Sequence, residues 1–406
     1  MNIDSFRASG ERHLSAALGF LRALVEVNSF TANAAGVNAV GNLVAEAFAP
    51  MGFRATRVPA GEGRGEHLFL ATERTEGLPT LALVSHLDTV FPEDEEVRNR
   101  FVWRREGDRI YGPGTNDIKG GTALIWLMLS AMRETAPDLF AGVNWVVAHN
   151  ACEEVDSADF GAACARLLPA ETTACLIFEA DGGEDERFSV VAARKGRATF
   201  TVRVEGRGAH AGGGHASGAN AIVQLAEVVA RLAALTDYAA DVTVNVGAIS
   251  GGTVNNRVPH EAMATLEMRA FDAAAYARTK DAILAMDGEG AVANSAGYAC
   301  RIRVVLDDET GPWPVNAGTE RLAELWRDAG AELGLRVARE MRGGLSDGNV
   351  LWPRFATLDG LGPRGGNSHC SEQSADGAKE QEWVSASSFV PKALLNARAI
   401  ERLTRR

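Results

Sequence analysis

The chain has 406 residues, 46% of them apolar and 23% charged; at about 100–200 residues per domain, that length leaves room for two or three domains with ordinary cores. Such usage excludes disorder, collagen-like repeats and coiled coil. A net charge of −12 without any basic stripe argues against a nucleic-acid partner.

Five cysteines (Cys152, Cys164, Cys175, Cys300, Cys370) are odd in number and form no CxxC pair, which fits a reducing compartment better than a disulfide framework. The first residues have neither the basic nor the apolar region of an export signal, and no run reaches the roughly 18 apolar residues of a membrane span. The expectation is a cytoplasmic protein with no membrane partner.

In chain order, His13 to Val27 and Val37 to Met51 carry apolar residues at helical spacing, the second stopped by Gly52. Thr80 to Ser85, Asn144 to Ala148 and Cys175 to Phe178 are short apolar runs of the kind buried on both faces of a parallel sheet. Helices are expected between them, from Gly120 to Arg133 and from Ser157 to Leu168. From Val191 the texture changes. Thr199 to Glu205 and Ala262 to Arg269 alternate polar and apolar residues, as one-sided antiparallel strands do, and helical spacing runs over Ala219 to Leu235 and Ala273 to Met286. Helical texture returns at Gly318 to Leu333, and a closing helix is expected after Trp383, complicated by Pro391. The fold class is α/β, with residues 191–307 reading as a separate α+β unit.

The residues with metal chemistry follow the predicted strands. His86 and Asp88 come after the strand ending at Ser85. Asp117 lies in Gly112-Pro-Gly-Thr-Asn-Asp-Ile-Lys-Gly-Gly121 before a helix, Glu153 and Glu154 follow the next strand, and Glu179 and Asp181 the third. In an open α/β sheet the ligand site lies beyond the carboxyl ends of the strands, so these groups converge on one edge. One histidine among several carboxylates suits a divalent cation such as zinc. His86 and Asp88, two apart, point the same way from an extended strand, so Asp88 can accept the second ring N–H of a ligating His86. Of the adjacent pair Glu153 and Glu154, one carboxylate can ligate while the other takes a proton from water; the bland reading is an acidic start to the following helix.

Other chemistries fit less well. The glycine-rich segment lacks the G-x-x-x-x-G-K-[ST] of a P-loop, and H-E-x-x-H is absent. Gly344-Leu-Ser-Asp-Gly348 matches G-x-S-x-G, with Asp359 and His369 behind it in the order of an α/β-hydrolase triad. The preceding Arg336 to Arg342 is too charged for the buried strand that a nucleophile elbow needs.

Together, Ser85-His-Leu-Asp-Thr-Val-Phe-Pro92, Tyr111 to Gly121, Glu153-Glu154, Phe178-Glu179, Gly206-Arg-Gly-Ala-His-Ala-Gly212 and the late His369 resemble the dinuclear zinc exopeptidase family of glutamate carboxypeptidase, acetylornithine deacetylase, succinyl-diaminopimelate desuccinylase and aminoacylase. The resemblance covers nearly the whole chain and is nearest to the glutamate carboxypeptidase branch. It implies a zinc-peptidase-like catalytic domain in two parts, residues 1–190 and 308–406, with an inserted lid and dimerisation domain over 191–307. It also implies two zinc ions, for which cobalt or manganese can substitute. His86 and Glu179 would be terminal ligands of one, Glu154 and His369 of the other, and Asp117 the bridge. Glu153 would be the general base, Asp88 the orienter of His86, and His210 an oxyanion donor reaching across a homodimer. Arg269 and Asn256 would bind a substrate carboxylate, with Gly344 and Ser346 in a substrate-lining loop. The implied function is hydrolysis of an amide next to a free carboxylate in a dipeptide-like or other small substrate. An N-acyl-amino-acid deacylase is the alternative, and an inactive metal-binding protein a remote one. Two departures stand out: Cys152 occupies a position that is commonly acidic, and the segment from Cys370 to Trp383 is longer than usual.

Overall fold

Every residue of the strand Thr80–His86 is buried, and alternate side chains serve two different cores. Leu81 and Leu83 join a cluster that includes Leu21, Leu124, Met128, Trp326 and Leu395, while Ala82 and Val84 join Phe160, Cys164, Leu351 and Phe355. A strand that alternates between two cores is the centre of a three-layer sandwich. In this computed structural model, which describes residues 1–183 and 187–405, the chain divides into two units. The first comprises Met1–Ala192, Val315–Met341 and Ser346–Arg406, and the second Ala193–Pro314 with Arg342–Leu345.

The first unit holds a six-stranded sheet in the order Arg54–Pro59, Glu66–Ala71, Asn144–Asn150, Thr80–His86, Ala174–Ile177, Thr357–Leu358. The last four are mutually parallel, and the hairpin Arg54–Ala71, unread in the sequence, adds an antiparallel edge. After Thr80–His86 the chain returns first on one side of that strand, through helix Gly120–Thr135, and then on the other, through helix Ala158–Leu167. This reversal opens a crevice at the carboxyl ends of the three strands. Gly121 lets the first helix press against the third strand, since a Cβ there would lie 2.1 Å from the Phe178 carbonyl oxygen. A smaller sheet joins Arg104–Glu106, Arg109–Tyr111, Trp383–Ser385 and Gly365–Gly366.

Two helix expectations shift. The first helix begins at Ile3, not His13, because Asn2 caps it by accepting the Ser5 N–H, and its small buried residues Ser9 and Gly10 hide the apolar period. After Trp383 the chain forms a strand before the closing helix Phe389–Thr404. Pro391 sits in that helix's first turn, where no intrahelical partner awaits its missing N–H.

The second unit is a five-stranded antiparallel sheet in the order Thr243–Gly251, Glu261–Ala270, Gly196–Glu205, Ala299–Thr310, Gly288–Ala293. Ala198, Phe200, Val202 and Val204 of its central strand face helices Ala221–Ala233 and Ala273–Leu284, and Arg197, Thr199, Thr201 and Arg203 take the other face. Among the described residues, no helix is long and apolar enough to cross a membrane.

Candidate metal centre

The three strand ends of the first unit deliver His86, the Glu153–Glu154 pair and Glu179. The turn before helix Gly120–Thr135 delivers Asp117 and the segment after Gly365–Gly366 delivers His369. Asp117 stands between the two imidazoles: its Oδ1 is 3.1 Å from His86 Nε2, and its Oδ2 is 3.3 Å from His369 Nε2. Around His86 Nε2 lie Glu179 Oε1 at 3.8 Å and Glu153 Oε2 at 3.9 Å; Glu154 Oε2 is 3.2 Å from His369 Nε2. His369 holds a left-handed backbone, φ 65°, which a non-glycine residue adopts at a cost that surrounding structure must offset.

Asp88 does more than the spacing argument assigns to it. His86 Nδ1 is 3.1 Å from the Asp88 backbone carbonyl and 3.3 Å from its carboxylate. That carboxylate also accepts the N–H groups of Glu153 (3.1 Å) and Glu154 (3.3 Å) and the Thr31 hydroxyl (2.6 Å). One buried side chain thus orients the first imidazole and anchors the acidic pair.

The electrostatics are those of an uncompensated anionic cluster. Burial, with Glu179, Asp347 and Glu154 nearby, drives the Glu153 carboxyl well above its ordinary range against the pull of His86. Burial and the Asp117 charge push Glu154 up to about 7. Hydrogen bonds donated to Asp117 and Glu154 raise His369 to about 11, and those donated to Asp117 and Asp88 raise His86 despite its burial. Glu154 Oε1 is buried without a hydrogen-bond partner among the described residues. His86, Asp117 and Glu179 form one group whose donor atoms lie within 4.8 Å of one another, and Asp117, Glu154 and His369 form a second. Imidazole nitrogens and carboxylate oxygens at these separations, with excess negative charge and an orphaned oxygen, fit two divalent cations sharing Asp117.

A third group, His67, Cys152 and Asp159, has similar spacing but the wrong proton. His67 Nδ1 accepts the Ala151 N–H at 3.1 Å, so the neutral ring carries its hydrogen on Nε2 and has no lone pair there for a cation. Burial raises the Cys152 thiol to about 12, leaving it a neutral filler that donates to the Asp156 carbonyl.

The remaining candidates fare differently. Ser346 is buried, and its hydroxyl donates to Asp359 at 2.9 Å with no histidine between them; His369 faces Asp117 and Glu154 instead. This removes the serine triad and makes Ser346 part of the turn rather than a pocket wall. In the second unit, exposed His210 accepts the Gly212 and Gly213 N–H groups on Nδ1, leaving Nε2–H as an outward donor in the neutral ring. The Asn256 carbonyl accepts the Ala211 N–H. Arg269 is engaged by both Glu267 carboxylate oxygens at 3.0 and 3.2 Å and by the Gly343 carbonyl at 3.0 Å; Gly344 O accepts from Arg194. The carboxylate-clamp expectation for Arg269 therefore requires Glu267 to give way.

Sequence reasoning missed Asp347, Asn150 and Glu382. Asn150 Nδ2 donates to Asp347 at 2.7 Å, and burial raises Asp347 to about 7. Asn150 lies two residues past the predicted strand Asn144–Ala148 and Asp347 lies inside the G-x-S-x-G match, so position flagged both; nothing local flagged their pairing.

Residues 192–286 match the peptidase dimerisation domain family. The chain is 31% identical over 270 residues to carboxypeptidase G2 of Pseudomonas sp. (strain RS-16), a match covering 66% of this chain and 61% of that protein. To acetylornithine deacetylase of Klebsiella pneumoniae (strain 342) it is 30% identical over 229 residues, covering 53% of this chain and 57% of that one. The chain thus spans under two thirds of the length of these curated relatives. Its fold is that of the YXEP protein of Bacillus subtilis, described as a dinuclear metal binding peptidase from the M20 family, with a TM-score of 0.67, 12% identity, and coverage of 97% of this chain and 99% of that one.

Proposed function

We propose, from the match of residues 192–286 to the peptidase dimerisation domain family and the likeness to carboxypeptidase G2, that this chain is an M20-family two-metal amide hydrolase of the glutamate carboxypeptidase type, cleaving an amide beside a free carboxylate. The observation that carries the proposal is Asp117 between two imidazoles, each with its own flanking glutamate. His86, Asp117 and Glu179 would hold one cation, and Asp117, Glu154 and His369 the other, with zinc the expected metal and cobalt or manganese able to replace it. Bound there, such a pair supplies Lewis acidity at the amide carbonyl and lowers the pKa of water.

Glu153 is then the proton carrier. Its carboxyl, beside His86 and held through the bond from its own N–H to Asp88, takes a proton from the attacking water and hands it to the departing nitrogen. His210 presents an N–H donor suited to the developing oxyanion, and Asn256 and Arg269 are the residues proposed to recognise the substrate carboxylate.

The alternative substrate class is the N-acyl amino acid, favoured by the likeness to an acetylornithine deacetylase; the chemistry is unchanged and only the acyl side differs. A homodimer through the second unit is proposed from the dimerisation-domain match and from the exposed edge strand Thr243–Gly251, where Ile249 is 59% exposed. The test is free-amine release by zinc-loaded protein from C-terminal dipeptides, acyl-glutamates and acetyl-amino acids. Preference for the first two supports the carboxypeptidase, preference for acetyl-amino acids shifts it to the deacylase, and silence across the panel overturns both.

A further inference from the structure

Glu382 is 0% exposed, yet its side chain reaches into the segments that carry two of the proposed metal ligands. The register explains how. Trp383 pairs with Tyr111, which sets Glu382 opposite Gly112 at the start of the Asp117 turn, and the Gly112 N–H donates to the Glu382 carbonyl. From there Glu382 Oε1 accepts the N–H groups of Asn116 (2.8 Å) and Asp117 (3.1 Å), and Oε2 accepts the N–H of His369 (3.3 Å). Asn116 adds a bond from its side-chain amide to Ser368 Oγ at 2.7 Å. Gly365 admits this contact, because a Cβ there would fall 2.1 Å from Asn116 Oδ1. The long segment after His369 returns to the same point, where the Glu382 N–H donates to the Cys370 carbonyl.

We propose that Glu382 is a positioning residue for the metal centre, a single buried carboxylate that locks the Asp117 turn to His369 and so fixes the second cation site. The inference rests on the two-metal reading above. Its reach is uneven. Asp117 is also placed by its turn and by the helix that follows, whereas His369 has a left-handed backbone and a long segment behind it, so the His369 side depends on the lock more.

Glu382→Gln separates the two sides. The single remaining oxygen goes to the paired N–H groups of Asn116 and Asp117, leaving the new side-chain NH2 facing the His369 N–H, donor against donor. Calorimetric titration of metal-free protein with Zn2+ is the experiment. Wild type takes up two equivalents, and the variant keeps one site within about twofold while the other weakens about 10–100-fold, the usual cost of removing a ligand's supporting partner. Two unchanged affinities would make Glu382 a structural residue only, and equal weakening of both sites would remove the selective lock. Fewer than two equivalents in wild type would instead overturn the two-metal reading itself. Should the variant fail to fold, hydrogen exchange of the wild-type protein decides: Asn116, Asp117 and His369 amides are expected to exchange as one protected set, and independent exchange at His369 defeats the proposal.

Discussion

The strand Thr80–His86 and the strand Gly196–Glu205 are both central in their sheets, but one is buried at every position and the other at alternate positions. In the first, a polar side chain has no solvent to escape into, so His86 and its neighbours must be matched by hydrogen bonds or by a counter-charge. In the second, Arg203 and Thr201 lie on an open face without such demands. Chemistry concentrates where burial is complete and compensation is not, and stability where the two faces separate cleanly.

Four substitutions or conditions can break or sharpen that contrast. Glu153→Ala is expected to lower kcat by about 10²–10⁴-fold with both metals retained, read by turnover alongside metal content. Retained activity would remove the general base from the proposed mechanism. In the second unit, Phe200→Ala should cost about 3–5 kcal/mol in denaturant unfolding while metal content stays unchanged, since the residue lies wholly in the packed face. Loss of metal there would erase the distinction between the two regions.

The third test uses protons. His86 and His369 hold theirs above the ordinary imidazole range in the metal-free protein, and a cation can bind only as those protons leave. Affinity for Zn2+ therefore rises with pH below the raised values, by about tenfold per unit for each proton released. Titrations at pH 6 and 8 check this, and a flat profile would contradict imidazolium in the empty centre. The smallest effect is expected from Thr31→Val, which removes one of the hydrogen bonds that hold Asp88. A charged acceptor bond contributes about 1.5–3 kcal/mol, and because the backbone N–H bonds to Asp88 remain, a kcat loss of about three- to tenfold is expected, with little change in melting temperature.

The site was legible in the sequence to the extent that chain position revealed it. His86, Glu153, Glu154 and Glu179 each follow an apolar run, and a parallel sheet sends such positions to one edge. What stayed hidden depends on pairings across long separations. Asn150 meets Asp347, which precedes a short helix, and Glu382 meets Asn116 through the register of Trp383 with Tyr111; no local pattern announces either pairing. Arg269 and Ser346 carry partners that their local sequence does not announce, Glu267 for the guanidinium and Asp359 for the hydroxyl. The fold is legible where periodicity is strong, as in the closing helix despite Pro391, and its first helix start is hidden where the small residues Ser9 and Gly10 blur the period.

Glu382 and Asn116 lie 266 residues apart. Because a chain emerges from the ribosome from its N-terminus, His86, Asp117, Glu154 and Glu179 are all synthesised long before His369 and the carboxylate that secures it. On the two-metal proposal, the ligands of the first cation site are all in place by Glu179, whereas the second site needs His369 as well. The two proposed sites thus differ in the order in which synthesis supplies their ligands, the His369 site being the later of the two.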